Sequence, residues 1–261
     1  MAKDQLLARI FEKISQSGET VESDIPTNLF MVKSGSDKLI VKRFGRVSYN
    51  KNLSAMGRSY SCLPYYSQIT FTPATTGQSV LVASVYYRDK DERESFNDLN
   101  LTQLGLLVRT KNGVFANPPN VDGNYVIDES QLMALLNNAE EIDRVLFGRN
   151  GFGYAPYDSF EQGQQDSETF AKGGLARLLE GSKGNGVGIR RILSNNFYKL
   201  GVDVCDFDPV EQPILRVANL SSGWFSLGRL VIRGNSTSDD YYGGFAFGVL
   251  KETSQAGSQK S

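Results

Sequence analysis

Histidine is absent from all 261 residues of the chain. It is the side chain whose unperturbed pKa lies nearest neutrality, and the commonest metal ligand. Its absence therefore excludes Ser-His-Asp and Cys-His catalysis, the H-E-x-x-H zinc site and the His-bearing facial triads together. Carboxylate-only and lysine chemistry survive. Cysteine is scarce too: Cys62 and Cys205 are far apart and neither belongs to a C-x-x-C pair. That argues against a disulfide scaffold or a cysteine zinc site and fits a reducing, cytoplasmic setting. No apolar run approaches the roughly 18 residues of a membrane span. The opening MAKDQLLARIFEKIS sets charges among its apolar positions, unlike the continuous apolar core of a secretory signal. Charge of one sign is not in excess either, with 28 basic and 29 acidic residues and a net charge of −1. No global field draws the molecule to nucleic acid or to an anionic membrane, so such binding needs a local patch. The expectation is no metal, no cofactor and no membrane partner.

What is present is ordinary globular composition, 40% hydrophobic and 22% charged. Residues 1–20 form a first unit, an amphipathic helix over Asp4–Gly18 with Leu6, Leu7, Ile10, Phe11 and Ile14 at helical spacing. Residues 21–252 read as one α+β domain with a sub-boundary near 118–127, and 253–261 as a polar tail. Within the domain KLIVKRFGRVSY, SQITFTPA and SVLVASVYYRD are β-branched and aromatic, and are read as strands. LGLLVRT and VFANPP flank Lys111-Asn112-Gly113 as a hairpin. Asp128 opens a helix expected to run to Phe147 and to stop at Gly148. GRNGFGYAPYDSFEQGQQDSE reads as a long loop, followed by helical patterns over Ser167–Glu180 and Gly188–Leu200 and by late strands. Strands at both ends around a central group of helices predict a mainly antiparallel α+β fold.

Four segments could carry function. In EGSKGNGVGIRRIL, Gly184, Gly186 and Gly188 allow close backbone approach. Amides at the following helix start could bind an anion, with Lys183, Arg190 and Arg191 beside them. The spacing is not that of a Walker loop or a dinucleotide fingerprint, and a helix connector with solvated arginines is the commoner reading. In KLIVKRFGRVSYNK, Lys42, Arg43 and Arg46 alternate with Phe44 and Tyr49, as a single-stranded nucleic-acid surface requires. An edge strand guarded by charge has the same composition. In DVCDFD, Asp206 and Asp208 fall on one face of an extended segment and could share a hard cation or acid/base work, although exposed carboxylates are commoner. In the 148–166 segment, Phe152, Tyr154, Tyr157 and Phe160 follow neither helical nor strand period, and so are expected to need another surface.

The C-terminal stretch SSGWFSLGRLVIRGNSTSDDYYGGFAFGVLKE resembles the last part of C-type-lectin-like domains of the formylglycine-generating-enzyme type, which end with a Gly-Ser-Trp strand and a final Gly-Phe-Arg. Ser221-Ser222-Gly223-Trp224 and Gly244-Phe245-Ala246 match in part, and the arginine is missing. The resemblance is confined to this stretch. It directs attention to Asn235–Tyr242, where Tyr241 and Tyr242 stand among small polar residues in the composition of a binding surface.

These readings favour a non-enzymatic binding or assembly protein, a homo-oligomer or subunit of a larger complex that makes contact through Gly- and aromatic-rich loops. A nucleic-acid-binding subunit of a ribonucleoprotein is the first alternative. A carboxylate-dependent hydrolase or phosphotransfer enzyme is the second.

Overall fold

The computed structural model describes residues 29–34, 37–58, 60–63, 67–86, 102–119, 128–182, 187–193, 200–221, 229–237 and 244–251. The expected N-terminal helix, the polar tail and most of the 118–127 boundary lie outside the described residues.

The sheet turns on β5 (Thr102–Arg109), a strand buried on both faces. One side of it continues through β6 (Gly113–Ala116), β9 (Gly153–Pro156), β8 (Val145–Phe147) and β7 (Glu140–Ile142). The other continues through β12 (Ile214–Ser221), β13 (Leu230–Ser236), β11 (Val202–Cys205) and β10 (Gly163–Gln165). Near its start β5 also meets β14 (Gly244–Lys251), with Phe245 opposite Thr102. β14 in turn carries β2 (Asp37–Val47), which pairs with β1 (Leu29–Ser34), and β4 (Ser67–Pro73), which pairs with β3 (Tyr60–Leu63). Pairings among the described strands are antiparallel except β11 with β13 and β14 with β5. With the helices, this makes the chain α+β with a large, mostly antiparallel sheet.

Alternation along β5 and β6 divides the core. Leu107, Val114 and Ala116 face a layer built from α2 (Thr76–Tyr86), α5 (Gly174–Glu180) and α6 (Val187–Leu193). Val108 and Phe115 face Leu132, Leu136, Phe152 and Tyr154 on the opposite side. Three shorter elements have a side-chain cap. Ser48 caps α1 (Tyr49–Met56), Asp128 caps α3 (Glu129–Ala134), and Asp166 caps α4 (Ser167–Lys172) by accepting from the Glu168 and Thr169 amides at 2.9 Å.

Four expectations are corrected. SVLVASVYY is helix, because Val80, Val82, Ala83 and Ser84 are all buried, and a run buried all round has no helical stripe to display. The helix from Asp128 ends at Ala134, and the β7–β8 hairpin follows through Asp143 and Arg144, both in the left-handed region at φ 51° and 68°. The pattern over Ser167–Glu180 breaks into α4 and α5 at Gly173. The 148–166 segment is not structureless: it holds β9, β10 and two single 3-10 turns, Arg149–Gly151 and Tyr157–Ser159. Its aromatics are consequently absorbed into the molecule. Phe152 is 4% exposed and Tyr154 8%, both packed on Phe115, while Tyr157 and Phe160 lean on the helix-side core. Burial, aided by nearby Glu129, pushes the Tyr154 phenol up to about 12.

Candidate binding surface

Arg109 closes β5, and only 5% of it is exposed. A buried guanidinium is costly unless its N–H groups find acceptors. Here Nε and Nη2 donate to the Asp208 carbonyl at 3.2 and 2.5 Å, and Nη1 donates to Asn235 Oδ1 at 3.0 Å. Arg216 on β12 reaches the same Asn235 oxygen with Nε at 3.0 Å and donates Nη1 to the Leu215 carbonyl at 2.8 Å. Two guanidinium groups therefore converge on one neutral amide oxygen. The ion pairs among the described residues, Lys111–Glu211, Arg144–Asp158, Lys172–Glu168 and Arg177–Asp143, include neither arginine.

The backing is rigid. The Tyr157 hydroxyl lies 3.2 Å from both the Thr110 and Asp208 carbonyls, and the Val210 amide donates to Thr110 at 3.1 Å. The Tyr157 phenol is held above its ordinary pKa by burial first, against the opposing pull of Arg109. Thr110 Oγ1 and Asn112 Nδ2 donate to Glu129 Oε1 at 2.9 and 3.1 Å, tying the β5–β6 turn to α3. In front, Asn235 is exposed and Arg216 half-buried, at the end of β13 from which the chain enters 238–243. Beside them Asn219 Nδ2 donates to Ser236 Oγ, and Asn219 Oδ1 is buried with no partner among the described residues. At the opposite end of β13, a cleft of about 570 Å³ is lined by Gln164, Gln165, Asp166, Ser167, Leu200, Gly201 and Arg229.

Of the residues singled out in the sequence, Asn235, Asp208 and Tyr157 stand at this surface, the last two behind Arg109 and Asn235. Lys183, Gly184, Gly186, Tyr241, Tyr242 and Trp224 lie outside the described residues. The start of α6 already has an anion: the Ile189 amide donates to Glu180 Oε1 at 2.6 Å. A Cβ on Gly188 would stand 3.3 Å from that oxygen and 3.0 Å from Val80 Cγ1, so this glycine serves helix packing. Arg190 is exposed. It adds to the pull of Lys172, which at 2.8 Å is the main reason that the Glu168 carboxyl sits below its usual range. The side chains of Arg191 and Arg46 are not described.

β2 lies between β1 and β14, so it is no guarded edge. Its rings are not open platforms either. Phe44 is 4% exposed and meets Phe71 edge-on at 5.8 Å, with Lys42 Nζ 5.3 Å from its centre. Lys42 is half-buried, which lowers its ammonium pKa, and Arg43 packs 4.5 Å from the Phe245 ring centre. The strand alternation expected to set the acidic pair on one face does not run through it, because Asp206 takes a left-handed φ of 66° just after β11 ends. Asp208 Oδ1 accepts from Gln162 at 3.2 Å. Among the described residues no three His, Cys, Asp or Glu side chains gather as metal ligands.

No family model matches the chain, and no curated protein matches it. One solved structure, described as "Accommodation of massive sequence variation in Nanoarchaeota by the C-type lectin fold", is similar at 13% identity. The match covers 84% of this chain and 100% of that one with a TM-score of 0.44, a likeness too slight to carry any argument.

Proposed function

We propose that this chain is a non-enzymatic binding protein whose partner seats at the end of β5, β12 and β13, around Arg216 and Asn235. The observation that carries the reading is the convergence of Arg109 and Arg216 on Asn235 Oδ1, with the half-buried Arg216 and exposed Asn235 held from behind by a buried arginine whose three nitrogens each donate a hydrogen bond. A recognition group built on strands and fixed by its neighbours loses little freedom on binding, which is what makes a site tight. Polar recognition also suits the rest of the surface. Among the described residues the exposed large apolar side chains are Val47, Leu135 and Leu200, which stand apart and form no broad patch. In the same reading the sequence that continues from β13 through Tyr241 and Tyr242 supplies the aromatic part of the contact.

A naive peptide-display selection on the immobilised full chain tests this, followed by titration of the selected peptides against wild type, Arg216→Ala and Asn235→Ala. Loss of about tenfold or more in affinity on both variants is the expected result, with melting temperature retained in Arg216→Ala and lowered in Asn235→Ala, which takes an acceptor from the buried Arg109. Peptides that bind both variants as well as wild type would move the contact elsewhere and overturn the assignment.

A further inference from the structure

We infer that the group recognised at this surface is an oxyanion, a carboxylate or phosphate, held between Arg216 and Asn235. The inference rests on the binding reading above and adds its chemistry. The Asn235 amide cannot point either way: its oxygen takes N–H groups from Arg109 and Arg216 at 3.0 Å each, so its NH₂ is turned away from both. Of five guanidinium N–H groups, Arg216 spends two within the described protein, on Asn235 and on Leu215. What the Asn235 and Arg216 side chains turn outward is therefore donors alone, the Asn235 NH₂ beside the unspent Arg216 N–H groups, with the exposed Asp208 carboxylate engaged through Oδ1 by Gln162. A surface of donors takes a ligand of acceptors.

Charge points the same way. The two donating nitrogens are at most about 6 Å apart, since each lies 3.0 Å from one oxygen. Two cations so close repel, and the shared acceptor between them is neutral. An oxyanion that offers two acceptor atoms, as carboxylate and phosphate both do, matches the guanidinium fork and relieves that repulsion.

Binding to the full chain is measured with a capped glutamate hexapeptide, with its glutamine counterpart and with inorganic phosphate, following the Asn235 side-chain NH₂ resonance. The glutamate peptide should bind saturably and shift that resonance, and the glutamine peptide should not. Competition by phosphate would identify a free oxyanion as sufficient; no competition would identify the acidic side chains of a polypeptide. Arg216→Gln should weaken binding about tenfold or more, the scale of a charge-assisted hydrogen bond. Asn235→Asp is the sharper variant. It sets a carboxylate of the protein's own between the two arginines, so the melting temperature should rise while oxyanion binding disappears. Asn235→Asp binding the glutamate peptide like wild type, or the glutamine peptide binding equally well, would overturn the inference. If display-selected neutral peptides still depended on Arg216 and Asn235, only the oxyanion would fall. If nothing bound there, the binding reading would fall with it.

Discussion

Truncating Phe152 to alanine separates a core residue from an interface residue by their energies. Its ring is 4% exposed and stacks on Phe115 at a centroid distance of 5.9 Å and an interplanar angle of 11°. Leu132, Leu136 and Tyr154 complete its surroundings. The backbone is committed as well: the Gly148 amide donates to the Phe152 carbonyl at 2.8 Å, and the Phe152 amide to Arg149 at 3.1 Å. These bonds keep the chain from collapsing into the space that the ring leaves. The loss therefore combines the transfer of a buried phenyl with a retained cavity, about 3–5 kcal/mol. That is a large share of the roughly 5–15 kcal/mol that holds a typical domain together. Urea unfolding followed by circular dichroism should show the midpoint falling by more than about 1 M at an unchanged slope. Leu135→Ala, at a residue 58% exposed beside the same cluster, should stay within about 0.5 kcal/mol of wild type. A Phe152→Ala protein as stable as Leu135→Ala would refute the core assignment and return this ring to an intermolecular role.

Two further outcomes are expected. Gly77→Ala should destabilise by about 1–3 kcal/mol, although alanine is the better helix former, because its Cβ would lie 2.4 Å from the Glu180 carbonyl oxygen and force α2 from α5; a gain in thermal stability would contradict this packing. The Cys205 thiol is pushed up to about 11, by burial first and then by the Asp206 charge. In a Cys62→Ser background it should alkylate at pH 8 about a hundredfold more slowly than a free cysteine, whose pKa is near 8.5. Because the folded state keeps a proton that the unfolded state has released, Cys205 should also reduce stability as pH rises from about 8.5 to 11, and Cys205→Ala should flatten that slope. Alkylation at the free-thiol rate would refute the burial.

Local chemistry was legible where the partners are local. The β5–β6 hairpin follows from Lys111-Asn112-Gly113, and the Asp128 cap from an acidic residue ahead of an apolar spacing. Where burial is decided by distant chain, the same residue types mislead. Leu132, Leu136, Ala139 and Leu146 lie at spacings that a single helix would satisfy, yet they reach the core from a short helix, the turns after it and a hairpin. The turn between β7 and β8 places Arg144 at positive φ, and nothing about an arginine announces that. Arg109 gives no local sign, because it ends an apolar strand and shows its role only through Asp208 and Asn235, 99 and 126 positions away.

The two cationic sites differ in whether the protein fills them itself. The glycine-led start of α6 is the kind of place where backbone amides seek an anion. The fold supplies one from nine positions back in the chain, the Glu180 carboxylate on the Ile189 amide. Gly188 lets Val80 and that carboxylate come close, and Gly77 lets α2 approach the carbonyl of the same residue, so α2, α5 and α6 lock together at Glu180. The expected anion affinity is satisfied by a side chain and converted into packing. At Arg109 and Arg216 no carboxylate among the described residues performs that service, and a neutral amide oxygen takes its place. Buried charge settled with neutral acceptors keeps much of its field, since hydrogen bonds satisfy donors without cancelling charge. Of the two basic sites, the one that the sequence advertised has a carboxylate of the protein's own on its described Ile189 amide, and the one assembled across three strands is left with charge to offer.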